Sequence, residues 1–163
     1  MLASGDAVKQ YDLQPIARIV ASATNSIHPN LFAEAPVGAI QKCCERAELQ
    51  LDDIGLFEIN EAFLSVPLAA IKQLNLDSER VNVNGGVVSI GHPIGASGGR
   101  LVATLLREMK VRNEKYGLAT LCIGGGEAVA AIFNEFSKIK AFNGEAERGR
   151  EKRSLEPYQQ TIS

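Results

Sequence analysis

Several things are missing from this sequence, and each absence narrows the reading. No apolar run approaches the ~18 residues that a membrane-spanning helix needs, so no membrane role is expected. There is no cationic excess: 17 Lys and Arg stand against 19 Asp and Glu, a formal net charge of −2. That balance argues neither for nor against a polyanion in general, and no nucleic-acid partner is expected. Cysteine is scarce and odd in number, and two of the three, Cys43 and Cys44, are adjacent. A disulfide framework is therefore not expected, and a reducing compartment follows, the cytoplasm first and an organelle second. No further Cys or His stands at ligand spacing from that pair, so no metal site is expected. The opening MLASGD has neither the basic start nor the apolar core of a secretory signal. Thr161-Ile162-Ser163 matches no retention signal. The Gly-Lys-Ser/Thr of a phosphate-binding loop is absent, and the glycine spacing at 91, 95 and 98 is not that of a dinucleotide fingerprint.

What is present is one domain's worth of chain: 163 residues, 45% apolar, enough for a core. Residues 1–12 read as the end of a helix and its exit, as though the sequence began within something larger. Residues 16–24 are β-rich, and 25–36 form a loop in which His28 is expected to be an exposed histidine before a proline. Over 36–49 the apolar spacing predicts a helix, with Pro36 early and Cys43 and Cys44 facing the core. A short strand follows at 56–60, then a mostly helical stretch over 61–74. Pro67 forbids a regular helix from residue 61, so its first turn is expected to be irregular. VNVN at 81–84 reads as a third strand, and a helix from about Gly95 to Val111 carries Leu101, Val102, Leu105, Leu106 and Met109 on one stripe. YGLATLCI at 116–123 is nearly continuous in apolar residues and predicts a buried central strand. Residues 127–136 predict a fifth strand, antiparallel to it across the glycines. The last stretch, 137–163, is dense in both signs of charge without apolar period and reads as a solvated or disordered tail.

The order is β-α-β-α-β-α-β-β, an α/β domain over 1–136 with a mostly parallel, mixed five-stranded sheet covered by helices. Right-handed crossovers would gather the strand C-terminal ends at one edge, where open α/β sheets place their chemistry. Asn60, His92 and Cys122 all fall there. His92 stands before Pro93 among glycines that strip side chains from its surroundings, at the start of a long helix. In such a setting a neutral imidazole can take a proton or donate to an oxyanion. Each residue has a plainer reading too. Asn60 could cap a helix, Cys122 could be a small buried hydrophobe, and His92 a satisfied turn residue.

Asn60-Glu61-Ala62-Phe63, Gly91-His92-Pro93-Ile94-Gly95-Ala96-Ser97-Gly98 and Cys122-Ile123-Gly124-Gly125-Gly126 occur together, in that order. In order and spacing the chain resembles the C-terminal half of a thiolase, from about residue 2 to about 136. Thiolases include acetyl-CoA acetyltransferases and 3-ketoacyl-CoA thiolases. The resemblance implies that His92 activates a nucleophilic cysteine and helps form an oxyanion hole for the thioester carbonyl, with Asn60 holding a water that completes it. It implies that Cys122 is the acid/base at the substrate α-carbon and that the Gly124 N–H serves a second oxyanion hole. Ala62 and Phe63 would line the acyl and pantetheine pocket. Coenzyme A would be a substrate, with no cofactor and no metal. The nucleophilic cysteine would come from an N-terminal thiolase half that the sequence does not contain, so this chain alone is expected to be inactive. An apolar face towards that half would make the isolated chain self-associate, a homo-oligomer. Ala128 stands where the family usually has glycine, with Glu127 before it. The other class of reading is a non-catalytic thiolase-fold remnant or subunit serving assembly or acyl-CoA contact; a ketoacyl synthase is the weaker enzyme alternative.

Overall fold

The fold is built on alternation between apolar strands and amphipathic helices, seen in a computed structural model that describes residues 1–135. The elements are α1 (Gly5–Gln10), β1 (Ala17–Ser26), α2 (Ala35–Ala47), β2 (Leu56–Ile59), α3 (Ser65–Leu74), α4 (Val87–Ile90), α5 (Ile94–Arg112), β3 (Tyr116–Ile123) and β4 (Glu127–Glu135). The charged tail expected over 137–163 lies outside the described residues.

α2 starts with Pro36 in its first turn, where a missing N–H costs nothing, and buries Val37, Ile40, Cys43 and Cys44 on one face. α3 begins at Ser65, two residues before Pro67, with an irregular approach as expected. α2, α3 and α5 all end on a left-handed residue, Glu48, Asn75 and Asn113, whose N–H closes back onto the last turn. α5 buries Leu101, Leu105 and Met109, four residues apart, along the predicted stripe.

Among the described residues the sheet has four strands, in the order β1-β4-β3-β2. β2 pairs parallel with β3, while β4 lies antiparallel between β3 and β1. This corrects the expectation of five strands in a mostly parallel sheet. β1, β2 and β3 do run the same way, but only one neighbouring pair is parallel, because β4 turns back and inserts beside β1. The strand expected at 81–84 is a single parallel bridge between Phe57 and Val81. The physical reason is Asn82, which takes a left-handed backbone (φ 48°), so the chain curls into a turn closed by Gly85 N–H to Asn82 C=O. α4, four residues long, was not anticipated.

Alternation along the strands divides the core into two layers. Phe57, Ile59, Leu118, Ala130 and Ile132 face α2 and α3, whereas Leu56, Ala119 and Phe133 face Leu101, Leu105 and Met109 of α5. β3 is buried on both faces, the central position its sequence predicts. Ala128 is fully buried on β4 opposite Cys122 and packs in the first layer, so its methyl is accommodated.

Candidate active site

Because β1, β2 and β3 share a direction, their C-terminal ends meet at one edge, and the chain bends there into a cleft of about 600 Å³. The segment after β1 supplies Pro29 and Phe32, and that after β2 supplies Ala62 and Phe63. The end of β3 and its turn supply Leu121 to Gly125, and His92 and Ile94 come from the start of α5. Phe32 and Phe63 pack edge to face, centroids 5.6 Å apart. Apart from Asn60, every predicted site residue thus lines one cleft: Ala62, Phe63, His92, Cys122 and Gly124.

Asn60 lies just behind it. It is fully buried at the end of β2, where its N–H donates to Thr120 C=O at 2.9 Å and continues the parallel ladder onto β3. Its side-chain Nδ2 faces His92 Nε2 at 3.5 Å, so the amide and the imidazole meet although they stand 32 residues apart. Asn60 Oδ1 is buried and finds no hydrogen-bond partner among the described residues. An uncompensated buried oxygen is costly, and a bound water or substrate donor at this atom would offset that cost.

The other ring nitrogen of His92 is held by a residue that sequence reasoning passed over. Ser97, buried in the first turn of α5, has its Oγ 2.6 Å from His92 Nδ1. The Ser97 hydroxyl donates its one proton to Pro93 C=O at 3.2 Å. With that proton on Pro93 C=O the Ser97 lone pair faces Nδ1, an arrangement that suits the tautomer with the proton on Nδ1 and a lone pair on Nε2 towards Asn60. The signal for Ser97 was a small polar residue one helical turn into α5, on the inward side, five residues after the histidine.

Cys122 is half-buried near the end of β3, and burial pushes its thiol up from the ordinary range. A thiol held protonated suits an acid that gives a proton more than a standing nucleophile. Burial also raises Cys43, and it pushes Cys44, with help from Cys43 and Asp53, up to about 11. Both sit on the inner face of α2, as expected, and neither lines the cleft. His28 is exposed and outside it too; its Nδ1 accepts from the Asn30 N–H at the start of a short 3₁₀ turn.

The turn after Cys122 needs its glycines. Gly125 and Gly126 have φ of 83° and 85°, and a Cβ on Gly126 would come 2.4 Å from Ile27 C=O. Gly126 C=O in turn accepts from the Ile27 N–H at 3.0 Å, which ties the turn to the segment leaving β1. Gly124, on the cleft side, has open space about its Cα. Among the described residues no group of three or more His, Cys, Asp or Glu could hold a metal ion. No described helix is long and apolar enough to cross a membrane.

Comparison with known proteins gives the same frame. Residues 13–135 match the family model "Thiolase, C-terminal domain". The chain is 50% identical over 125 residues to acetyl-CoA acetyltransferase of Escherichia coli strain K12, covering 77% of this chain and 32% of that protein. It is 43% identical over 133 residues to 3-ketoacyl-CoA thiolase of Bacillus subtilis strain 168, covering 82% of this chain and 34% of that protein. Among solved structures, human mitochondrial 3-ketoacyl-CoA thiolase superposes with a TM-score of 0.80 at 42% identity, covering 82% of this chain and 34% of the other. The chain thus spans about a third of the length of the curated relatives it matches. By family model, sequence and fold, it belongs to the thiolase family of acyltransferases and carries that family's C-terminal domain.

Proposed function

We propose that residues 1–136 supply the proton-handling half of a thiolase, which cleaves or forms 3-ketoacyl-CoA through a cysteine thioester. The nucleophilic cysteine comes from outside residues 1–163. What carries the reading is the meeting of Asn60, His92 and Cys122 around one cleft, from three separate segments. The high-lying thiols of Cys43 and Cys44, away from that cleft, support an outside nucleophile.

In the cleavage direction, His92 Nε2 takes the proton of the incoming cysteine thiol, with Nδ1 engaged by Ser97 Oγ. The thiolate attacks the 3-keto carbon. The Gly124 N–H faces the 3-keto oxygen as it gains charge. The bond between the α and β carbons then breaks, its electron pair passing into the thioester enolate. The imidazolium Nε2–H, with a water held by Asn60, faces the thioester oxygen as it takes up the enolate charge, and Cys122 Sγ–H gives its proton to the α-carbon. The acyl group left on the outside cysteine is taken by the thiol of a second CoA. A thiolase of this fold has been solved in complex with CoA, consistent with CoA as the shared substrate handle. No cofactor or metal enters this scheme. The compartment proposed is a reducing one, the cytoplasm first.

Phe63, Ile94 and Ile123 line the cleft and are exposed, and Leu64, Leu68, Val88 and Ile90, on the adjoining segments, are exposed too. These residues supply an apolar rim for the N-terminal half of a thiolase, and they make self-association of the isolated chain the expected state, read by light scattering. The activity test uses acetoacetyl-CoA thiolysis. The chain alone should show no turnover. Joined to the first two-thirds of the Escherichia coli relative it should turn over, and Cys122→Ser should then cost about 10²–10⁴ in kcat. A folded chimaera without turnover, or turnover by the chain alone, overturns the reading.

A further inference from the structure

The proposed reaction requires Asn60 and His92 to stay aligned, and they stand on separate segments 32 residues apart. Asn60 ends β2, and His92 follows α4 across a glycine-rich loop. Two buried or half-buried polar residues that the reaction scheme does not use bridge these segments. Asn82 places its side-chain amide against Ile59 as a strand residue would place its backbone. Its Oδ1 accepts from the Ile59 N–H at 2.8 Å, and its Nδ2 donates to Ile59 C=O at 2.9 Å. Its own N–H donates to Phe57 C=O at 2.9 Å, so backbone and side chain together edge β2 without a fifth strand. The second proton of Asn82 Nδ2 goes to Glu61 Oε1 at 2.9 Å, and Glu61 Oε2 accepts the Val88 N–H at 2.9 Å.

Glu61 is the residue after Asn60, and Val88 lies in the helical turn four residues before His92. One carboxylate therefore ties the end of β2 to the loop that presents the imidazole. The space for it is specific: a Cβ on Gly86 would lie 2.5–2.6 Å from the Glu61 carboxylate. Only a side chain with two acceptor oxygens and this reach can satisfy both donors. Glutamine offers one acceptor and turns an NH₂ towards a donor, and aspartate is one methylene shorter.

We infer that Glu61 and Asn82 are a positioning pair that holds Asn60 against His92. This rests on the reading of those two residues as the oxyanion-hole pair, but the geometry can be tested without turnover. The chain has two histidines, so His92 ring signals are assigned by difference from His28, which is exposed and bonded locally. In the unaltered chain a nuclear Overhauser contact is expected between the Asn60 side-chain amide protons and the His92 ring. In Glu61→Ala and in Asn82→Gly, which keeps the left-handed backbone easy while removing the amide, that contact should be lost. The cross-strand contacts of β1, β4 and β3 should persist, all measured below the melting temperature. Glu61→Gln, which keeps one acceptor, should retain part of it. A purely structural pair would lower the melting temperature and leave the Asn60–His92 contact intact; that result overturns the proposal, as does absence of the contact in the unaltered chain. If Glu61→Ala does not fold, Glu61→Gln and Asn82→Gly give the reading. The thiolysis chimaera answers separately. Lost contact with undiminished turnover would count against the oxyanion-hole role of the pair and leave the positioning role standing.

Discussion

Cys43 and Cys44 on α2 and Cys122 at the end of β3 place the same side chain in two regions built for different ends. On α2 the thiols are sealed between helix and sheet, and Cys43 Sγ lies 3.5 Å from Ala21 C=O and 3.7 Å from Ala130 C=O. There they fill volume in the layer with Ile40, Leu118 and Ile132. At the strand ends, Cys122 is half-buried and faces a cleft beside a histidine whose two ring nitrogens have separate neighbours, with a buried oxygen of Asn60 left unpaired behind it. Burial raises all three thiols, so burial alone does not separate the regions. What separates them is whether polar atoms converge on open space. The helix-covered layers carry stability, and on the proposed function the rim gives some of it up for chemistry.

Thiol labelling is the sharpest way to break that contrast. Cys122 should react in the native chain, while Cys43 and Cys44 wait for opening of the α2 layer. If that opening costs ~5 kcal/mol or more, they should lag by about 10³–10⁴. Comparable rates for all three would mean the α2 layer is not sealed. A smaller effect comes from truncating the other layer. Leu105, fully buried between α5 and β3, should cost about 2–5 kcal/mol as Leu105→Ala, read as a lower urea midpoint with an unchanged slope. The Asn60–His92 contact should survive it.

The helix-covered layers were also the more legible region. β3 announced itself by a continuous apolar run, α5 by a stripe every fourth residue, and the start of α3 by Pro67, because each signal is local. β4's antiparallel pairing with β3 across the glycines was legible too, but its pairing with β1 was not, since contact across a hundred residues leaves no periodic trace. The false third strand shows the limit more closely. VNVN has strand composition, but Asn82 supplies two of its strand-like bonds through its side chain while its backbone turns left-handed. α4 is too short to show a period. At the rim, Asn60, His92 and Cys122 could be read from three motifs and their order. Ser97, Glu61 and Asn82 could not, because a polar residue's work depends on what buries it, and their partners arrive from other segments or from the folding of the turn itself.

Glu58 lies between the two regions and offers a pH test of the boundary. It is on β2, two residues before Asn60, nearly fully buried on the α5 side, with Arg100 Nη1 at 3.3 Å. Burial raises its carboxyl to about 7 despite Arg100, with Glu61 and Glu108 adding to the rise. The folded chain therefore holds a proton that the unfolded chain releases near the ordinary carboxylate range. Stability from this group is full below that range and is lost as pH rises through about 7. The loss across that window should be ~3 kcal/mol at most, read from urea midpoints between acid and neutral pH. Glu58→Gln should flatten the slope. A chain that grows more stable over the same window, with Glu58→Gln behaving identically, would mean that Arg100 outweighs burial.

The smallest effect expected is at Ser97, and it bears most directly on what the rim is for. Ser97→Ala removes a hydroxyl that lies 2.6 Å from His92 Nδ1 and donates to Pro93 C=O. The stability cost should be only ~1 kcal/mol, because Pro93 also accepts backbone bonds from Ala96 and Ser97. The ring should respond much more than the fold. Without the acceptor at Nδ1 the proton is no longer confined to that nitrogen, and ¹⁵N shifts of His92 should move from a pure Nδ1–H pattern towards a mixture, while those of His28 stay fixed. Ser97→Thr, which keeps the hydroxyl, should restore the pattern if its methyl fits. If His92 is already mixed in the unaltered chain, Nε2 is not held ready as a base, and the division between a region for stability and a region for chemistry loses its strongest support.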